Sequence, residues 1–100
     1  MKKILLVCAN GMSTANLVAK MKKYIEEKGY EYEVSAVSIA NAPGIIEGVD
    51  VCLIGPQVRF NLSKIQAMNP NITVEPVDMS AFGLMDGAKV VEQARSIIGD

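Results

Sequence analysis

"KKILLVCANGMSTANLVAKMKKYIEEKG", residues 2–29, changes its hydrophobic period once, and the place of that change decides the fold. Lys2 to Cys8 is a short run that is apolar from Ile4 onward, without polar alternation, as expected of a strand buried on both faces. Further on the period becomes helical. Leu17, Val18, Met21, Tyr24 and Ile25 form one stripe, while Lys20, Lys22, Lys23, Glu26 and Glu27 fall mostly on the other face. Gly29 is suited to the position just past a helix end. The stretch therefore predicts a strand, the loop "ANGMS", and a helix opening near Ser13 or Thr14.

The same alternation continues along the chain. "YEVSAVS" (32–38), "VDVCLIG" (49–55) and "NITVEPV" (71–77) are further short runs bounded by Gly, Pro or Asn, and they read as strands. A helix is expected from about Arg59 to Met68, with Leu62, Ile65 and Met68 inward, ended by "NPN". Another is expected from Asp86 to Ile98, with Val90, Val91, Ala94, Ile97 and Ile98 on one side. A short helix or turn around Pro43 to Glu47 completes the crossover between the second and third strands. Strands alternating with helices imply right-handed crossovers and a parallel sheet. The expected fold class is α/β: a four-stranded parallel sheet of order 2-1-3-4, flavodoxin-like and doubly wound, with helices on both faces. Ile4–Val7 and Val51–Ile54 suit central positions, and the alternating 32–38 run suits an edge.

Composition limits what such a domain does. At 100 residues, half apolar and 21% charged, the chain reads as a single globular domain over residues 1–100 with no linker. A net charge of -1 argues against nucleic-acid binding. Two lysines, an apolar run and a cysteine imitate a secretory or lipoprotein start, but the run Ile4–Ala9 is shorter than the roughly 7–15 residues a signal core needs. No run approaches the ~18 residues of a membrane span. A cytoplasmic protein without membrane insertion is expected. Cys8 and Cys52 are far apart and neither belongs to a C-x-x-C pair, so redox and zinc readings lose their usual support. The chain contains no histidine, the commonest general base and metal ligand. No metal or cofactor is expected, and histidine chemistry must come from a partner.

In doubly wound sheets ligands bind beyond the carboxyl ends of the strands at the switch in strand order, here between the first and third strands. Cys8 ends the first strand there, followed by the loop and a helix N-terminus whose dipole and N–H groups favour negative charge. The same field favours a thiolate. Gly11 suits a tight loop or close backbone approach, and Ser13 and Thr14 suit helix capping or hydroxyl donation to an anion. The plainer alternative makes Cys8 a small hydrophobe at a strand end and Ser13 a cap. Gln57 and Arg59, after the third strand, are candidates for site-rim or partner contacts, or else a solvated helix start. Met12 sits in the cysteine loop as a packing or docking residue, and Cys52, within "VCLIG", reads as core.

A thiolate in an anion cradle points to phosphoryl chemistry. A cysteine phosphatase with a C-x5-R loop clamps the phosphoryl group with its arginine, but Thr14 stands at that position here. Hydrolysis also wants a general acid, and neither Asp78 nor Asp86 has distinguishing context. The loop suits holding a phosphoryl group rather than hydrolysing it. A weak phosphatase or arsenate-reductase-like enzyme, and a binding module with an incidental cysteine, are the remaining alternatives.

"CANGMSTANLVAKM" (8–21) resembles the active-site loop and first helix of the enzyme IIB component of the bacterial sugar phosphotransferase system, in its lactose/cellobiose/chitobiose branch. The resemblance covers essentially the whole chain, including "DVCLIGPQVRF" (50–60) and the "DG" at Asp86–Gly87. It implies a cytoplasmic phosphoryl carrier on a four-stranded parallel sheet. Cys8 would take a phosphoryl group from a phosphohistidine of enzyme IIA and pass it to a sugar, such as cellobiose, chitobiose or lactose, bound to the membrane enzyme IIC. Ala9, Asn10, Gly11, Met12, Ser13, Thr14 and Ala15 would surround the phosphoryl group, and the base for the second transfer would lie on enzyme IIC. Two positions depart from the family pattern: Ala15, often serine, and Phe82, often tyrosine. Each loses a hydroxyl, while position 15 keeps its backbone N–H.

Overall fold

The computed structural model describes residues 2–8 and 11–100, the side chains of residues 11–13 and 57 excepted. Four parallel strands, β1 (Lys2–Cys8), β2 (Tyr32–Ser38), β3 (Val51–Ile54) and β4 (Thr73–Pro76), form one sheet of order β2-β1-β3-β4. The central pair is as expected: every residue of β3, and β1 from Ile4 onward, is buried. Alternation then sorts the side chains onto two faces. Ile4, Leu6, Leu53 and Val34 pack under helices α1 (Gly11–Lys28) and α5 (Gly87–Ile98), against Leu17, Met21, Val90, Val91 and Ala94. Leu5, Val7, Cys52 and Ile54 pack on the opposite face against Ala42 and Ile46 of the β2–β3 crossover and against Val58 and Ile65 of the β3–β4 crossover. Each fully buried Leu or Ile contributes about 1.5–3 kcal/mol, so the apolar runs hold both layers on the sheet.

Helix boundaries differ from expectation where local signals are weak. α1 opens at Gly11, ahead of the expected start, so Gly11 belongs to the helix and Thr14 lies within its first turn rather than capping it. Its other end is as read: Gly29 adopts φ 73°, and Tyr30 N–H reaches Ile25 C=O at 3.0 Å, the Schellman closure. The expected 59–68 helix is two pieces, a 3-10 turn Pro56–Asn61 and α3 (Leu62–Met68). The β2–β3 crossover is a chain of single turns, 3-10 at Ile39–Asn41, α2 at Ala42–Ile45 and 3-10 again at Ile46–Gly48, bent at Gly44 with φ 88°. A short helix the sequence did not announce, α4 (Met79–Gly83), follows β4. Asp86 caps α5 rather than starting it, its Oδ1 accepting from Lys89 N–H at 3.1 Å.

At the amino end of the sheet a polar cluster joins α1 to α5. Tyr24 donates to Glu92 Oε2 at 2.6 Å, and Arg95 donates to Glu92 Oε1 at 2.8 Å while its guanidinium lies 4.2 Å from the Tyr30 ring centre. Tyr24's hydrogen bond, helped by Arg95, holds the Glu92 carboxyl below its usual range, and the same bond pushes Tyr24 up to about 12. A lowered carboxylate stabilises the fold above its unfolded value and loses that contribution as pH falls through its folded value. A raised tyrosine stabilises below its unfolded value of about 10 and loses the contribution as pH rises through the folded one. Glu92→Gln is therefore expected to lower Tm near neutral pH, with the gap to wild type closing in acid and again above pH 12. Thermal melts across pH read this directly, and a gap constant with pH would contradict it.

Candidate functional site

Cys8 closes β1, 3% exposed and paired in register with Ser38 at the end of β2. By alternation it lies on the Ile4–Leu6 side of the sheet, the side α1 covers, and α1 opens three residues later. The neighbouring carboxyl ends are laced to it: Gly55 N–H donates to Val7 C=O at 2.8 Å, and Val77 N–H to Ile54 C=O at 2.8 Å. The segments carrying Gln57 and Arg59 and then Asp78 and α4 thus leave the sheet beside the end of β1, at the strand-order switch expected from sequence. Arg59 is exposed there, its carbonyl accepting from Leu62 N–H. Ala9 and Asn10, and the side chains of Met12, Ser13 and Gln57, lie outside the described residues. Ala15 is exposed, and Phe82 is half-buried against the α1–α5 core.

Thr14 stands out. Buried positions of α1 fall at Thr14, Leu17, Met21 and Ile25, a stripe of helical spacing facing the sheet, and only its first member is polar. Thr14 is 2% exposed, and its Oγ1 finds no hydrogen-bond partner among the described residues. A hydroxyl so buried costs about 1–3 kcal/mol unless something completes it. It occupies the first turn of the helix that follows Cys8. Sequence reading assigned Thr14 a cap or donor role but missed its burial. The spacing 14, 17, 21, 25 was the available signal.

Other titratable groups of interest are structurally engaged. Asp86 caps α5, and the Asp78 carboxylate lies 4.0 Å from Lys89 Nζ while Asp78 N–H donates to Gln93 Oε1 at 2.9 Å. Cys52 is fully buried in the second core layer, as expected, and burial pushes its thiol up to about 12, so it stays protonated. Two large apolar side chains beside the carboxyl ends of the strands are exposed: Phe60 at 79% and Met79 at 65%. Among the described residues no helix is long and apolar enough to cross a membrane.

A doubly wound parallel sheet with a cysteine ending its first strand beneath a helix start is a domain suited to holding an anion at that thiol. Residues 3–93 match the family described as "PTS system, Lactose/Cellobiose specific IIB subunit". The chain is 48% identical over 100 residues to the oligo-beta-mannoside-specific EIIB component of Bacillus subtilis, covering 98% of this chain and 97% of that one. It is 36% identical to the cellobiose-specific EIIB component of Lactococcus lactis, covering 97% and 96%. The solution structure of the cellobiose-specific IIB component from Borrelia burgdorferi superimposes with a TM-score of 0.82 at 31% identity, covering 98% of this chain and 92% of that one. The chain belongs to the lactose/cellobiose-specific IIB family of the sugar phosphotransferase system, a family of sugar phosphotransferases.

Proposed function

We propose that this protein is a cytoplasmic phosphoryl carrier, a single domain over residues 1–100 in which Cys8 is the phosphorylated nucleophile. The observation that carries the reading is the pairing of a cysteine at the end of β1 with a buried, unpartnered Thr14 hydroxyl in the helix turn above it. The Cys8 thiolate attacks the phosphorus of a phosphohistidine on enzyme IIA. The S–P bond forms as the N–P bond breaks, and the imidazole leaves. Backbone N–H groups of residues 9–15 and the Thr14 hydroxyl balance the charge on the equatorial oxygens. In the second step a hydroxyl of a sugar held on enzyme IIC attacks, the O–P bond forms, and the thiolate leaves. The hydroxyl proton passes to a base on enzyme IIC. The names of the relatives, oligo-beta-mannoside and cellobiose components, support a β-linked di- or oligosaccharide as acceptor. The exposed Phe60 and Met79, with Arg59, suit a protein partner docking over the site. The added charge of about -1.5 to -2 at the thiol favours the next partner, and amide NMR shifts of the residues after Cys8 on phosphorylation would register the change.

The test is intact-protein mass spectrometry after incubation with phosphoenolpyruvate, enzyme I, the phosphocarrier protein and enzyme IIA. One added phosphoryl group mapped to Cys8 supports the reading. Steady release of inorganic phosphate without a loaded species would favour a phosphatase.

The Thr14 hydroxyl has its own expected outcome. Thr14→Val keeps the shape and removes a buried orphan, so Tm is expected to hold or rise. Transfer should slow about 10- to 100-fold, the worth of a hydrogen bond to a charged group. Thr14→Ser should retain transfer. A valine variant that loses stability yet transfers normally would show that the hydroxyl serves the fold, not the phosphoryl group.

A further inference from the structure

Two glutamine side chains stand where a fifth strand would pair with β4. Val77 N–H bonds Ile54 C=O on β3, so the backbone groups of residues 72, 74, 76 and 78 turn the other way, to the outer edge. Gln66 of α3 donates from Nε2 to Ile72 C=O at 2.8 Å and accepts at Oε1 from Val74 N–H at 3.1 Å. Gln93 of α5 repeats the pattern, donating to Pro76 C=O at 2.9 Å and accepting from Asp78 N–H at 2.9 Å. Each amide thus makes the two bonds that one residue of an adjacent parallel strand would make, to a C=O and to the N–H two residues on. Pro76, between them, has no N–H to satisfy.

The two differ in where they act. Gln66 serves the row Thr73–Val51–Ile4, at the end of the sheet away from Cys8. Gln93 brackets Val77, one row beyond Pro76–Ile54–Val7, and that is the row of Cys8. There the chain turns into α4, a helix of five residues that begins with the exposed Met79 and has no side-chain cap from Asp78. So short a helix does not hold itself. Its start is fixed by Phe82 N–H on Asp78 C=O at 2.9 Å and by Gln93, with Lys89 Nζ adding only a half-exposed contact to the Asp78 carboxylate at 4.0 Å.

We propose that Gln93 is a positioning residue for phosphoryl transfer from enzyme IIA: by fixing the backbone of the Asp78–Met79 turn it holds Met79 ready in the surface on which that partner docks. This rests on the carrier reading above and adds to it a residue that touches neither the thiol nor the partner. A turn already held spares the partner the cost of ordering it on docking.

Gln93→Met and Gln66→Met each remove an amide while keeping side-chain length. Gln66 also donates to Asn69 C=O at 3.2 Å, so its loss should lower Tm at least as much as the loss of Gln93. Transfer separates them. In Gln93→Met the KM for phosphorylated enzyme IIA should rise about 10-fold with kcat within about twofold, whereas Gln66→Met should keep the wild-type KM. Hydrogen exchange of the Asp78 amide should quicken in Gln93→Met only. In the unaltered protein, titration with unphosphorylated enzyme IIA should shift the amide resonances of Asp78 and Met79 and leave those of Ile72 and Val74 in place. An unchanged KM in Gln93→Met, an equal rise in Gln66→Met, or unmoved Asp78 and Met79 resonances overturns the proposal while wild-type loading leaves the carrier reading standing. A wild type that phosphorylated enzyme IIA never loads overturns both.

Discussion

Cys8→Ser is expected to lose phosphoryl loading altogether, with transfer from enzyme IIA falling on the order of a thousandfold or more. A serine hydroxyl is a weak nucleophile unless a neighbouring base takes its proton, and this chain supplies no histidine. Of the two candidate acids, Asp86 caps α5, and the half-exposed Asp78 carboxylate lies beside Lys89 Nζ at 4.0 Å. Structure should survive the change. Position 8 is the last residue of β1, its ladder partner Ser38 is unaffected, and the core proper begins below it at Leu6 and Val7. A buried hydroxyl in place of the thiol costs about 1–3 kcal/mol. Cys52→Ser is the matched control. It buries a hydroxyl among Leu5, Val7, Ile54 and Ile65, so it should destabilise at least as much yet load one phosphoryl group per chain. Mass spectrometry and thermal melts on the two variants give opposite signatures. A Cys8→Ser protein that still loads would move the phosphoryl group to another residue and end the carrier reading as stated.

Sequence revealed the layers of this molecule better than its turns, for physical reasons visible in particular residues. β1 and β2 have the expected bounds: their pairing runs unbroken from Lys2–Tyr32 to Cys8–Ser38, anchored by the apolar positions Ile4–Val7 on one strand and Val34, Ala36 and Val37 on the other. β3 and β4 are shorter than the expected 49–55 and 71–77: Gly55 N–H on Val7 C=O and Val77 N–H on Ile54 C=O close the pairing at their carboxyl ends, and the chain then turns into the 3-10 turn from Pro56 and into α4. α4 is five residues long, too short to show a period, and is held by packing of Ala81 and Phe82 on the larger core. The position of Cys8 at the strand-order switch followed from the order of elements alone. The burial of Thr14 did not, because a polar residue at the head of an apolar stripe looks like a cap until the helix is seen to start at Gly11.

Gly87→Ala is expected to be the most damaging single-methyl change in the fold. A Cβ at this position would lie 2.6 Å from Lys20 C, 2.6 Å from Met21 N and 2.8 Å from Lys20 Cβ. Two of those atoms are α1 backbone, which yields only if the whole helix moves. Glycine to alanine inside a helix ordinarily stabilises by about 1 kcal/mol, so the contact with α1 alone reverses the sign. Relief requires parting α1 from α5, which opens the Leu17–Met21–Val90–Val91 layer. The cost is about 3 kcal/mol or more, roughly 12–24 °C in Tm for a domain of this size. Gly83→Ala is the internal comparison: it ends α4 with nothing within 4 Å of its would-be Cβ, and should be neutral or mildly stabilising. The same displacement carries Thr14, on the first turn of α1, away from the end of β1, so phosphoryl loading at a temperature where Gly87→Ala remains folded should also slow. The "DG" before α5 is thus coupled to Cys8 through one rigid helix. A Gly87→Ala variant that melts with wild type would mean the helices approach less closely than 2.6 Å implies, and would remove that coupling.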